Sequence, residues 1–545
     1  MHDLLIKNAR IIDGSGDPEY TADLAISDGR ISSIGPKIAE KATRQIETSG
    51  WVVAPGFIDI HTHSDLPVLE LPTADSKVMG GVTTEVLGNC GMSAAPLSER
   101  ESSEIAQGLQ DHGIQPWQTL GEYLDRLESR RASLNIAAIV GHGTVRLAAM
   151  GWDSRRPSSA ELDEMKDLVD EAMKSGAFGL STGLAYTPGS NATRDEIVEL
   201  ARVVARYNGF YTTHQRGEYE GFIEGVQEAL EVGRRAGIPV HLSHHGPNKK
   251  PLWGQSRESI AMILAARDEG LDVTCDVIPY PGLVGRWNRE AMLPEWAEQG
   301  GTEEALGRLS DGPIRQRIRD EMLSVENAPE CGGAMFQKYG LWDMLVLCYC
   351  EAEDARQHIG RDLMEIAEHL DLEPVDAFLD LLARPGEISF AFWFHHEDDF
   401  LHILSQPFTI PTSDGNVGRI PDDADTYGLL RPRDFGTFAH FLATYVRQRR
   451  IMNLEEAIKR MTFLPASRLG LRDRGLLREG NWADLVIFDP DRIRDTFRFE
   501  PRQGLFEPSH PEGIEYVIVN GSVIVEGGKH TGLLAGKILR KEQPR

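Results

Sequence analysis

The stretch Pro55-Gly56-Phe57-Ile58-Asp59-Ile60-His61-Thr62-His63 decides how the rest of the chain is read. An apolar, strand-like run ends in two histidines one residue apart. Side chains at i and i+2 of a strand point to the same side. His61 and His63 therefore offer two imidazoles to one metal ion from a rigid base. Imidazole is a common zinc ligand. A solitary His-x-His is more often structural or exposed. What lifts this pair is the buried-looking run before it and the further candidate ligands that follow it in order.

Seven more apolar segments of strand length follow Gly56–His63: Thr83–Cys90, Asn135–His142, Gly176–Ser181, Phe210–His214, Ile238–His244, Leu271–Tyr280 and Phe408–Asp414. They alternate with amphipathic helical patterns, which favours a parallel sheet. Nearly every segment ends in a polar residue. A (β/α)₈ barrel collects its chemistry at the C-terminal ends of its strands, so eight polar-tipped strands fit a barrel better than a doubly wound sheet. The chain ends differ in character. Leu4–Gly14 turns into Leu24–Ile31, which carries an Asp28-Gly29 hairpin signal, and Tyr516–Val525 is a hairpin with Asn520-Gly521 at its turn. Two β-rich ends around an α/β middle predict one small β-sandwich built from both termini. Between Tyr280 and Phe408 the alternation breaks, which reads as an inserted subdomain or lid, or as extra packing.

Composition narrows the function. The 545 residues, 41% hydrophobic and 26% charged, suit a globular protein with one large domain and a smaller one. A formal net charge of −27 argues against nucleic acid or an anionic membrane as partner. No signal-peptide pattern and no run long enough to span a bilayer are present. Five cysteines in so long a chain do not make a disulfide framework, and a reducing cytoplasm is expected.

The remaining candidates sit at strand ends. Cys90 closes Thr83–Cys90, where a thiolate near two imidazoles suits zinc, although a lone buried Cys is usually an inert apolar group. His214 follows Phe210-Tyr211-Thr212-Thr213, and His244 lies in Val240-His241-Leu242-Ser243-His244-His245. Spacing alone does not choose between His241 and His244. Asp414, in Ser413-Asp414-Gly415, taken alone is a turn aspartate. As a chain-ordered set these residues fit one scheme. One or two zinc ions make a bound water acidic, Asp414 takes its proton and delivers it to a leaving amine, and a C–N bond is hydrolysed.

At this point the chain resembles the amidohydrolase superfamily, and within it the D-aminoacylases, or N-acyl-D-amino-acid deacylases. The likeness rests on Pro55–His63, Gly88-Asn89-Cys90-Gly91, Gly141-His142-Gly143-Thr144-Val145-Arg146, Gly179–Gly189, Thr213-His214-Gln215-Arg216-Gly217-Glu218, Ser243-His244-His245 and Ser413-Asp414-Gly415. It implies an α/β fold: a distorted (β/α)₈ TIM barrel over about residues 55–470, a β-sandwich from residues 1–54 and 471–545, and a mobile insertion at about 281–407 between strands 7 and 8. It implies one tightly bound zinc on Cys90, His214 and His244, which favours His244 over His241. It implies a second, weaker ion on His61, His63 and Asp414, with Cys90 bridging, and Asp414 as the base. Tyr186, Tyr280 and Arg433 become substrate-binding candidates. The resemblance also has two departures. Gly246 stands where the family carries a Lys for the substrate carboxylate, and Arg431-Pro432-Arg433 replaces a His-Pro-Arg. Arg431 or Arg286 could substitute.

The expectation is a zinc hydrolase of N-acyl (D-)amino acids or related amides, acting on a small molecule, with a homo-oligomer left open. The alternatives are a hydrolase of a cyclic amide, carbamate or lactone, motivated by Gly246, and a barrel that binds partners without catalysis.

Overall fold

A computed structural model describes the chain apart from residues 49, 99–100, 102–104, 106, 108–112, 218–220, 281, 286–291, 299–301, 325–331, 394–395, 423–429 and 544–545. All eight predicted barrel strands form. Phe57–Asp59, Val82–Leu87 and Asn135–Ala138 make one parallel ladder. Val140–Gly141, Gly179–Gly183, Phe210–His214, Val240–Leu242, Val273–Val277 and Thr409–Pro411 make another. Ile139 joins the ladders within one continuous third strand, its N–H donating to the Leu87 carbonyl at 2.9 Å.

The barrel closes where the chemistry is expected. The backbones of the first and eighth strands pair beyond their ladders, through a parallel bridge between Thr62 and Gly415. There the Asp414 N–H donates to the His61 carbonyl (3.0 Å) and the His63 N–H to the Gly415 carbonyl (2.8 Å). Helices Ser159–Lys174, Arg194–Ala205, Phe222–Ala236 and Ser256–Asp268 pack outside. Their apolar stripes explain why they dock: Met165, Val169, Ala172 and Met173 of the first are all buried. Ser158 and Glu161 form the capping box that starts it.

Both chain ends build a single nine-stranded sheet. Strand alternation gives it two apolar faces. Val53, Leu485, Ile487 and Ile518 point into the sheet's own core, while Val52, Ala54, Val486, Phe488, Val517 and Val519 join the barrel's. The Asn520-Gly521 turn takes positive φ at both residues (48° and 81°), as a tight hairpin requires. The C-terminal segment does more than supply strands. Its last residues pair with barrel strand 3, where Ile136 N–H donates to the Lys537 carbonyl and Leu539 N–H to the Ile136 carbonyl.

The insertion carries its own core, with Phe336, Trp342, Phe378, Phe390 and Phe392 buried together. These pack on an antiparallel sheet of Gly282–Gly285, Ile388–Trp393 and Leu345–Cys350. Asp399 anchors its exit to the barrel by accepting from the Gly254 and Ser256 amides. Cys90, Cys275 and Cys348 are free thiols, and Cys331 lies outside the described residues. Among the described residues no helix is long and apolar enough to cross a membrane.

Candidate metal centre

Six side chains from five strand ends converge. His61, His63, Cys90 and Asp414 form one group of donor atoms and Cys90, His214 and His244 a second, each group within 4.8 Å, with Cys90 common to both. His61 Nε2 stands 3.1 Å from Cys90 Sγ and 3.3 Å from Asp414 Oδ1. His63 Nε2 is 3.0 Å from the same Asp414 oxygen, and His244 Nε2 is 3.6 Å from the thiol. The His214 and His244 rings meet edge to face at 4.3 Å.

Backbone strain aims three of these groups. Cys90, His244 and Asp414 have φ of 52°, 32° and 45°, a region most residues with a Cβ avoid. Each lies two or three residues past a barrel strand, Val82–Leu87, Val240–Leu242 or Thr409–Pro411, and each contributes a donor atom to the cluster. Such conformations cost energy and persist where surrounding structure enforces them.

Asp276 organises the imidazoles from behind. It binds His61 Nδ1 (3.0 Å) and His241 Nε2 (2.8 Å), and its other oxygen accepts the His244 amide at 2.6 Å. A carboxylate on His61 Nδ1 fixes the tautomer and leaves Nε2 directed at the thiol, the arrangement metal-ligating histidines commonly show. The structure thus places His244 in the cluster. His241 is committed to Asp276 and Thr274, and His245 stacks on Phe222 with Nε2 on Ser259.

A second buried layer ties strands 1, 2 and 8 together. Lys77 Nζ bonds Asp59 (3.0 Å), Ser413 Oγ (2.7 Å) and Glu85 (3.3 Å). Asp59 also accepts from Thr412 Oγ1, Ser413 N and Ser413 Oγ. Burial pushes the Glu85 carboxyl up to about 7, despite Lys77.

The electrostatics suit a cation. Burial opposes ionisation of Cys90, yet the His61 charge and the bonds from His214 and His244 hold its thiol well below the usual range. Burial likewise works against the Asp414 carboxylate, and Arg433 and His63 outweigh it. Arg433 Nη1 donates to Asp414 Oδ2 at 2.5 Å, which leaves Oδ1 to the imidazoles. Sulfur, nitrogen and carboxylate donors, buried or half-buried and at this spacing, match the donor set of zinc.

The other predicted residues lie around this core. Tyr186 donates to the Cys90 carbonyl at 2.6 Å, with its ring edge-on to His214 at 5.0 Å. Tyr280 donates to Asp495 and stacks on His440. Arg431 is engaged by Asp434 at 2.9 Å, and Arg286 lies outside the described residues. A Cβ on Gly246 would stand 2.8 Å from Asn248 Oδ1, so Asn248 occupies the space a longer side chain there would use. Sequence reading assigned no role to Asp276, Lys77, Asp59, Glu85 or Asp495. The signal for Asp276 was a carboxylate inside an otherwise apolar strand, Val273-Thr274-Cys275-Asp276-Val277.

A model of the amidohydrolase family, Amidohydro_3, matches residues 45–277 and 359–525. The chain belongs to the amidohydrolase family. The internal gap in this match, residues 278–358, falls almost wholly in the insertion. An N-acyl-D-glutamate deacylase of Alcaligenes xylosoxydans xylosoxydans is 35% identical, covering 99% of this chain and 97% of its own. A D-aminoacylase of the same organism is 34% identical, covering 99% and 98%. The crystal structure of an N-acyl-D-glutamate deacylase from Bordetella bronchiseptica superposes with a TM-score of 0.77 at 33% identity over 99% of both chains. That amidohydrolase was solved with zinc and a phosphonate inhibitor that mimics the tetrahedral intermediate of its reaction.

Proposed function

We propose that this amidohydrolase is a zinc-dependent deacylase that cleaves the amide bond of N-acyl D-amino acids or close N-acyl relatives. The convergence of two donor groups on one shared thiol carries the reading, and the full-length likeness to deacylases supports it. Cys90, His214 and His244 would hold the tighter ion. His61, His63 and Asp414, with Cys90, would hold a weaker second one. Zinc, when bound, supplies Lewis acidity, making water ionise near neutral pH and polarising a carbonyl.

The chain's own residues do the rest. Asp414 accepts a proton from the attacking water on Oδ1, the oxygen that Arg433 leaves to the imidazoles. It then returns that proton to the amide nitrogen. A C–O bond forms, the C–N bond breaks, and the amine leaves protonated. Arg433 keeps the carboxylate anionic between turnovers. Tyr186, Tyr280 and Arg433 contact the substrate. Asn248 fills the space beside Gly246 and Arg431 is held by Asp434, while Arg433 reaches Asp414 itself.

The same uncharged Gly246 favours a second reading, in which the substrate is a cyclic amide without a free carboxylate. One experiment separates the two. Zinc content and hydrolysis are measured on the same purified sample against N-acyl-D-glutamate, N-acyl-D-aspartate, neutral N-acyl-D-amino acids and cyclic amides. Turnover of the acyclic set supports the first reading and turnover confined to cyclic amides the second. A zinc-loaded protein inert on both sets rejects both.

A further inference from the structure

Tyr280 lies just beyond the seventh barrel strand, Val273–Val277, at the barrel end where strand tips face the site. Its hydroxyl donates to Asp495 Oδ2 over 2.7 Å. Its ring lies almost flat on His440, with centroids 4.4 Å apart and planes at 21°. His440 closes helix Pro432–His440, whose first turn brings Arg433 to Asp414. Tyr280 is therefore held between the helix that supports the proposed base and a carboxylate from a distant part of the chain.

Asp495 follows the sheet strand Leu485–Phe488. It approaches the helix closely because position 436 is glycine: a Cβ there would stand 2.3 Å from the Asp495 Cγ. Its second oxygen accepts the Phe497 amide at 2.9 Å, and Phe497 packs on Phe435 of the same helix. One oxygen thus locks the local turn and the other locks Tyr280. Burying a carboxylate is costly, and burial pushes this one up to about 6. Three residues on, the hairpin of Arg498–Glu500 and Leu505–Glu507 lays Phe499 and Phe506 on Cys348 and Ala391 of the insertion. Arg502 at its turn bonds Asp362 at 2.9 Å. The segment that holds Tyr280 at one end grips the insertion at the other.

We infer that Asp495 is a positioning residue for substrate binding. It fixes the Tyr280 hydroxyl, and with it the place of the ring at the barrel mouth. The kinetic test rests on the deacylase reading; a structural test does not. In the zinc-loaded full-length enzyme, Asp495→Ala and Tyr280→Phe should each raise KM roughly tenfold and leave kcat within about twofold. The double variant should be no more than about twofold worse than either single, because both remove the same bond. Asp495→Asn, which keeps an acceptor oxygen, should stay near wild-type KM. Penalties that multiply to about a hundredfold, or a loss confined to kcat, overturn the inference. If wild type turns over no N-acyl-D-amino acid, the deacylase reading fails by itself, and the crystal structure of Asp495→Ala decides. A Tyr280 ring displaced from His440 supports the inference, and an unmoved ring overturns it.

Discussion

The Asp414 amide donates to the carbonyl of His61 over 3.0 Å, and this bond is part of the barrel's closure. The same two residues face each other through their side chains, His61 Nε2 lying 3.3 Å from Asp414 Oδ1. Closing the barrel and assembling the site are therefore one event. The backbone bonds that join strands 1 and 8 bring together donors 353 positions apart, at a cost in loop closure the barrel's whole core must offset.

Replacing Asp414 by Asn tests the base. The amide keeps the shape and a hydrogen-bond acceptor for Arg433 but cannot take a proton. Turnover should fall by about 10²–10⁴ with the circular-dichroism spectrum unchanged. Near-wild-type kcat would remove Asp414 from that role.

Asp276→Asn tests the support behind the imidazoles. It weakens the bonds to His61 Nδ1 and His241 Nε2 without touching any donor atom in the cluster. Zinc affinity, measured by competition with a chelator, should drop about 10–100-fold. An unchanged affinity would mean that His61 does not depend on that carboxylate for its orientation.

Lys77→Met tests the buried layer. It leaves Asp59 and Glu85 without their cation in a region sealed from water. Losing one partner of a buried charged set typically costs about 3–5 kcal/mol. Urea unfolding should show a loss of that order. A loss below about 1 kcal/mol would mean the cluster relaxes or hydrates, as exposed ion pairs do.

His440 gives a pH dependence with a definite sign. Burial lowers its pKa from 6.5 to about 4, so the folded protein resists the charged ring. Its contribution to stability is fully present above pH 6.5 and is lost as pH falls from there toward 4. His440→Phe keeps an aromatic ring against Tyr280 and has nothing to protonate. The stability of wild type relative to this variant should fall by up to about 3 kcal/mol between pH 7 and 4. A difference that stays flat across this range would show that the folded state accepts the charged imidazole.

Reading the chain alone found the barrel strands because each is a local pattern: a short apolar run, a helix after it and a polar tip. It also singled out His61, His63, Cys90, His214 and Asp414 as candidates, since each sits at such a tip, and the fold brings them together. It left His241 and His244 undecided on spacing, because both lie at the end of one strand and spacing says nothing of φ. The left-handed turn at His244 and the capture of His241 by Asp276 settle where each ring goes.

The order of strands and of donor residues is legible in the chain alone, since hydrophobic periodicity and strand-end chemistry are written within a few neighbouring positions. The pairings across the fold emerge only once the chain is folded: Asp276 behind His61, Lys77 between Asp59 and Glu85, and Asp495 on Tyr280. The physical reason is the same in each case. A buried carboxylate or ammonium must find a partner, but which partner it finds depends on where barrel closure and the C-terminal segment bring distant chain together.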